Sequence, residues 1–336
     1  MGWRPYSSSA CLLYTALLGL AGWILLDVGA KSLDMGKAPQ KDKHSPGDIA
    51  QGLQPKQEVR RSGSPLVNPH DFHMIINIPR FCDSGTDPVK LLVTVASAPQ
   101  HLHQRAAIRD TWGNANLLQL LQVKLVFLLA NPYDSRVQTQ VTEESRSYGD
   151  ILQEDFKDSY LNLTLKTVMG LKWAHQHCPQ AQFFMKTDDD MYVNLPHLLD
   201  YLGEEKRQRW VGGCIKQRKA FLPVNAPAGM PMPQAHPDFV AGAGYVISGD
   251  IVAPLYSSSL RRRIIPVEDV YVTGHLAATV GAHPPHHDER FSCGELVPHD
   301  CLMVQLFTGH KISPTRMKQI WGKLDPNTIN SPCRRR

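Results

Sequence analysis

Short apolar runs alternate with polar, helix-periodic stretches through the middle of this chain. Residues 90–96, 123–130 and 151–156 are brief, apolar and rich in β-branched side chains, which predicts buried strands. Residues 101–112, 135–148 and 160–178 predict helices. In the last of these, Leu161, Leu165, Val168 and Met169 share a face, with Asp158 or Ser159 as N-cap. A further apolar run through Phe183 and Phe184 predicts another strand. Strands alternating with helices in this way predict an α/β fold with a largely parallel, Rossmann-like central sheet flanked by helices.

The second half is less regular. Residues 210–214 and 240–247 predict strands whose glycines admit a ligand or another backbone. Between them, residues 220–237 form a loop rich in Pro, Ala and Met, longer than a passive connection. It reads equally as an acceptor-side lid and as plain surface. Pro266 opens a helix running to about Val280, and residues 303–307 predict a strand. Ser313 and Pro314 begin a closing helix with Met317, Ile320, Trp321 and Leu324 on its apolar face.

The chain's beginning changes the picture. Residues 10–26 carry no charged side chain, Arg4 precedes them, and Asp27 and Lys31 follow. That length sits at the lower edge of a membrane span. A cleaved signal peptide, ending at the small residues Val28, Gly29 and Ala30, is the competing reading. The length of the run and Trp23 near its end favour an anchor. The expected organisation is a cytoplasmic tail over 1–9, a transmembrane signal-anchor over 10–26 and a flexible stem over 27–85. The stem is polar and rich in Pro, Gly, Gln, Lys and Asp. A single catalytic domain over 86–333 and a basic tail over 334–336 complete it, with folded sequence beginning near Phe72 or by Val89.

The 336 residues are 42% hydrophobic and 20% charged with a net charge of +5. Two arginine triplets, 261–263 and 334–336, supply much of that charge without interleaved aromatics, so no nucleic-acid partner is expected. No C-x-x-C pair occurs among the seven cysteines, which argues against a zinc ribbon. Cys11 lies in the apolar segment. The other six suit an oxidising lumen, with Cys82 and Cys178 the first pair expected because each flanks a strand.

Chemistry concentrates at residues 182–194, where an apolar run ends in Asp188, Asp189 and Asp190. Three adjacent anions repel one another unless a cation joins them, and hard oxygen ligands suit Mg²⁺ or Mn²⁺. Strand alternation turns Asp188 and Asp190 to one side and Asp189 to the other, giving a D-x-D metal site. An EF-hand loop is excluded, because Tyr192 and Val193 stand where a ligand and a glycine belong. Arg105 and Arg109, spaced i, i+4, call for an anion between them, either a phosphate or an internal carboxylate. Glu268 and Asp269 open a helix, where an acid is ordinarily a cap and where the helix end keeps a carboxyl ionised. His310 follows a strand, and Asn162 heads the one glycosylation sequon.

Four stretches in order, from Arg105 to Gly113, Glu154 to Thr167, Lys186 to Asn194 and Glu268 to Val272, resemble the β-1,3-galactosyltransferase and β-1,3-N-acetylglucosaminyltransferase family. The resemblance spans roughly residues 88–333. It implies a GT-A fold in a single-pass type II Golgi membrane protein with a lumenal catalytic domain. It implies Mn²⁺ and a UDP-sugar donor, with galactose favoured over N-acetylglucosamine, and transfer with inversion to the 3-hydroxyl of a glycan on glycoprotein or glycolipid. Asp188, Asp190 and His310 would then hold the metal, and Asp269 would be the catalytic base. Arg105, Arg109, Lys186 and Asp189 would serve the donor with Asp188, while Glu268, Gly242 and Gly244 would face the acceptor. Thr273 stands where relatives usually carry glycine. Cys301 matches a family cysteine whose usual partner is absent, with Cys293 or Cys214 as substitutes. A lumenal binding protein on the same fold, with catalysis lost, is the alternative; every charged residue the chemistry needs is present, which favours the enzyme.

Overall fold

The computed structural model describes residues 65–83, 88–216, 236–282, 284–294 and 300–324. The expected membrane segment, most of the stem, nearly all of the 220–237 loop, the basic tail, Cys11 and Cys333 lie outside the described residues. No helix among those described is long and apolar enough to cross a membrane.

The strands in chain order are β1 (Met74–Ile76), β2 (Leu91–Ala96), β3 (Val123–Asn131), β4 (Ile151–Lys157), β5 (Phe183–Asp188) and β6 (Tyr192–Val193). They continue with β7 (Val211–Gly213), β8 (Ile215–Lys216), β9 (Phe239–Val240), β10 (Gly244–Ser248), β11 (His286–His287) and β12 (Thr308–Gly309). The helices are α1 (Leu102–Arg109), α2 (Ala115–Leu121), α3 (Ser135–Tyr148), α4 (Leu163–His177), α5 (Leu195–Gly203), α6 (Val252–Ser259), α7 (Ala277–Thr279) and α8 (Pro314–Leu324). The main sheet has the order β1-β4-β3-β2-β5-β10-β7-β11. Strands β4, β3, β2 and β5 are parallel neighbours joined by helical crossovers, whereas β10 runs antiparallel to both β5 and β7. Small two-stranded pairings, β12 with β6 and β8 with β9, sit outside it.

Both faces of the parallel region are covered, which is why its strands read as continuous apolar runs. Leu91, Val93 and Val95 of β2 pack in one core with Ile108, Trp112, Leu198, Met317 and Ile320. Leu92, one residue out of phase, joins the other core with Phe184, Val168, Leu171 and Leu255. β5 lies centrally between β2 and β10, so the acidic triplet emerges at the middle of the sheet.

Several expectations are corrected. Residues 74–76, placed in the stem, form β1 against β4. The reason is a buried polar anchor: His70 Nε2 lies 2.7 Å from Glu154 Oε2, and Lys172 donates to Glu154 Oε1 at 2.9 Å. The strand expected over 303–307 is a tight helical turn at Asp300–Val304. Asn194 Nδ2 donates to the carbonyls of Met303 and Val304, giving them a partner outside any ladder. The strand expected over 240–247 is interrupted, because Gly242 N–H turns to Asp269 and the Ala243 carbonyl accepts from Asp188 N–H. Neither expected N-cap caps α4. Asp158 pairs with Lys166 Nζ at 2.7 Å, and Ser159 makes no capping bond.

Cys82 and Cys178 form a disulfide, as expected. Cys214 and Cys293 form a second one with each other, so neither partners Cys301.

Candidate active site

β5 is apolar as far as Met185 and then delivers Lys186 and Asp188 on one face, two residues apart. Lys186 Nζ donates to Asp188 Oδ1 and to the Gly242 carbonyl, each at 2.6 Å, and lies 3.6 Å from Glu268 Oε2. Burial pulls this ammonium down, but Asp188 and Glu268 lift it above the ordinary lysine value, so it is a permanent cation. Asp189 points the other way, as alternation requires. Its Oδ2 accepts from Ser97 Oγ at 2.7 Å and from His101 Nδ1 at 2.8 Å. Asp189, expected to serve the donor, thus makes internal contacts through this oxygen.

His310 reaches the triplet through backbone pairing. β12 lies antiparallel to β6, and Ile312 N–H donates to the Asp190 carbonyl at 2.8 Å, which brackets His310. Its Nε2 stands 3.5 Å from Asp190 Oδ2. One ligand atom each from Asp188, Asp190 and His310 lies within 4.8 Å of the others. Burial raises the Asp190 carboxyl above its ordinary value; His310 opposes this, while Asp188 and Asp189 add to it. His310 Nδ1 is buried with no hydrogen-bond partner among the described residues. Two carboxylates converging on an imidazole, their repulsion only partly offset by Lys186 on Asp188, fit a divalent cation of the Mn²⁺ or Mg²⁺ kind.

A cavity of about 480 Å³ opens beside this group, lined by Lys186, Asp188, Asp190, Glu268, Asp269 and His310 among others. Asp269 begins a wide helical turn, Val270–Leu276, wound with i→i+5 bonds, that continues into α7. Such turns recur at functional sites. Thr273 Oγ1 locks it, donating to the Asp269 carbonyl at 2.7 Å and accepting from Val240 N–H at 3.1 Å. Asp269 Oδ1 accepts from Val270 N–H and Oδ2 from Gly242 N–H. The expected lowering of its pKa is overturned: burial raises this carboxyl, outweighing the Val270 and Gly242 amides and Lys186. Glu268 is turned inward, accepting from Tyr245 Oη at 2.7 Å, and burial and Asp269 raise it against Lys186 and Tyr245. Gly242 has a steric task, since a Cβ there would stand 3.1 Å from Asp269 Cβ and 3.2 Å from Glu268 Oε2. Gly244, also expected toward the acceptor, is not among the residues lining the cavity, and a Cβ there would stand 3.2 Å from Met191 Cε and 3.5 Å from Thr308 Cγ2.

The arginines answer to internal carboxylates. Arg105 is fully buried and directs its N–H groups to both oxygens of Glu144, to Ser97 Oγ and to the carbonyls of Ala98 and Pro99. Arg109 grips Asp150 through two bonds and Glu144 through a third. Neither lines the cavity. Asn162 Nδ2 donates to the Lys157 carbonyl at 2.8 Å, and its sequon partner Thr164 is buried with Oγ1 on the Ile265 carbonyl.

Sequence reasoning missed Ser97 and His101, which fix Asp189, and Lys166, whose Nζ donates to the Ser97 carbonyl at 2.6 Å. Lys166 carried a signal, since a lysine inside an otherwise apolar helix face needs a partner. Lys216, which also lines the cavity, carried none beyond lying two residues from a cysteine.

The galactosyltransferase family profile matches residues 103–288. The chain is 34% identical over 265 residues to beta-1,3-galactosyltransferase 1 of Mus musculus, covering 77% of this chain and 80% of that one. It is 33% identical over 284 residues to beta-1,3-galactosyltransferase 2 of Homo sapiens, covering 80% and 66%. Among solved structures it is similar to galactosyltransferase LgtC in complex with donor and acceptor sugar analogs. The TM-score there is 0.34 at 12% identity, over 70% of this chain and 96% of that one. The sheet is mostly parallel and α/β, and by the profile match and the similarity to the two β-1,3-galactosyltransferases the chain belongs to the galactosyltransferase family.

Proposed function

We propose that this protein transfers galactose from UDP-galactose to the 3-hydroxyl of an acceptor glycan, with inversion, forming a β-1,3 linkage. The observation that carries the reading is one cavity holding both the Asp188, Asp190 and His310 group and the Asp269 carboxylate. Asp188, Asp190 and His310 would hold a divalent cation, Mn²⁺ in our reading, which neutralises charge on the nucleoside diphosphate. The names of the relatives supply the sugar and the linkage.

Inversion needs one base on the acceptor side. Asp269 suits this work because the Val270 and Gly242 amides fix both of its oxygens while leaving lone pairs free. Its raised pKa strengthens it as a proton acceptor. The acceptor oxygen forms its bond to the anomeric carbon as the bond from that carbon to the phosphate oxygen breaks. The hydroxyl proton passes to Asp269, and UDP leaves. Glu268, held by Tyr245 and Lys186, acts as the negative partner that keeps Lys186 against Gly242. The apolar run at 10–26 and the disulfides support a type II Golgi membrane placement with this domain in the lumen.

The test is a screen of the purified protein against several UDP-sugars and glycan acceptors, with Mn²⁺ or EDTA and with product linkage determined. Galactose transfer to a 3-hydroxyl, lost in EDTA, is expected. Transfer only from UDP-N-acetylglucosamine would move the protein to the sister activity, and no turnover of any UDP-sugar would end the reading.

A further inference from the structure

A leaving nucleoside diphosphate calls for cationic contacts besides a metal. The cations that the sequence assigned to the donor are committed inside the protein. Arg105 and Arg109 close on Glu144 and Asp150, away from the cavity. Lys186 is held by Asp188, the Gly242 carbonyl and Glu268. Among the described residues, Lys216 is the lysine that lines the cavity without a side-chain hydrogen bond or ion pair, although its charge acts on the Asp269 carboxyl.

Its placement is built. Lys216 ends β8, and its cross-strand neighbour Phe239 lines the same cavity. Two residues earlier, Cys214 is bonded to Cys293, with their Cα atoms 5.2 Å apart. That bond brings β8 against Gly294, whose φ of 100° is a glycine conformation. A Cβ on Gly294 would stand 3.7 Å from Lys216 Nζ and 3.8 Å from His310 Nδ1. The ammonium and the imidazole of the acidic group therefore flank one glycine. This space suits an anion bridging the metal ligands and a lysine.

We propose that Lys216 contacts the donor diphosphate, its ammonium pairing with the β-phosphate. This rests on the galactosyl-transfer reading above and adds a catalytic residue to it. As the bond between the anomeric carbon and the phosphate oxygen breaks, the electron pair stays on that oxygen. Lys216 donates a hydrogen bond to the phosphate and keeps its proton, stabilising charge that grows along the reaction. An acidic group on the acceptor is the other anion that could meet this ammonium, and the experiment separates the two.

Binding of UDP and of UMP is measured by calorimetry with Mn²⁺ present, for the parent, Lys216→Met and Lys216→Arg. Lys216→Met should weaken UDP by about tenfold to a hundredfold, the usual range for a hydrogen bond to a charged group. UMP, which lacks the β-phosphate, should change less than about twofold, and Lys216→Arg should recover most of the UDP affinity. Unchanged UDP affinity in Lys216→Met, or UDP and UMP weakening alike, overturns the inference. So does a rise in acceptor KM with UDP affinity intact, which would assign the ammonium to the acceptor. A parent protein that binds no uridine nucleotide overturns the transfer reading itself, whereas a binding parent with an indifferent Lys216→Met overturns the lysine's role alone.

Discussion

Strands β2 to β5 run six to nine residues each, whereas β6, β8, β9, β11 and β12 span two residues each. The long strands bury both faces, and the charges beside them find internal partners: Arg105 and Arg109 pair with Glu144 and Asp150, and Asp189 is hydrogen-bonded to Ser97 and His101. Of the short ones, β8 carries Lys216 and β12 leads into His310, while the wide turn held to β9 by Thr273 begins at Asp269, and all three residues line the cavity. These segments are held by a disulfide, by Thr273 and by two-residue pairings, together with buried apolar side chains such as Tyr192, Val193, Phe239 and Val240. In this molecule most conspicuous charges of the regular region build the scaffold, Lys186 and Asp188 at the end of β5 excepted, and the irregular region brings the remaining charged groups to the cavity.

The comparison breaks most readily at the acidic group. Asp190→Ala should abolish transfer while leaving the protein folded, with His310→Ala less severe because both carboxylates remain. An Asp190→Ala protein that transfers at the parental rate and ignores EDTA would remove the metal from the reading. Next in size, Asp269→Asn should cut turnover by about a hundredfold or more, the range for general-base catalysis, with UDP binding retained. Should Glu268→Gln alone lose activity, the base would shift to its neighbour.

The scaffold side is tested by Arg105→Met. Removing one partner of a buried ion pair costs about 3–5 kcal/mol, here toward the lower end because Glu144 keeps one bond from Arg109. Denaturant midpoints should fall accordingly, while donor KM changes less than about twofold at temperatures where the variant is folded. A raised donor KM with normal stability would return Arg105 to the donor.

Two smaller effects follow from burial of Asp269. Its carboxyl must be ionised to accept a proton, so kcat/KM should fall as pH drops through a value above the ordinary aspartate range. A folded-state pKa raised above the unfolded one favours folding at low pH, and that contribution is lost as pH rises through the folded value. Asp269→Asn does not ionise, so at neutral pH its thermal midpoint should equal or exceed the parent's. A less stable Asp269→Asn would show that the carboxylate supports the fold.

How far these assignments were readable from the chain depends on the range of the interaction. Periodicity is local, so β2 to β5, the helices around them and the opposed sides of Asp188 and Asp189 were legible. So was the disulfide between Cys82 and Cys178, whose two cysteines flank regular elements. The capping of α4 was not, because Asp158 found Lys166 instead. The interrupted strand around Gly242 was not either, since its cause is the carboxylate of Asp269, distant in sequence.

By itself the sequence determined the α/β class, the family and the strand end at which three carboxylates meet, because those are properties of residue pattern and spacing. Only the tertiary structure decided which charges are free. Arg105, Arg109 and Lys186 carry the same formal charge as Lys216, and no spacing rule tells them apart. What separates them is whether an opposite charge from elsewhere in the chain arrives within hydrogen-bond reach after folding: Glu144 and Asp150 reach the arginines and Glu268 approaches Lys186, while Lys216 makes no ion pair among the described residues and acts on Asp269 only through its field. The pKa of Asp269 was settled the same way, by burial that a helix-end position does not encode.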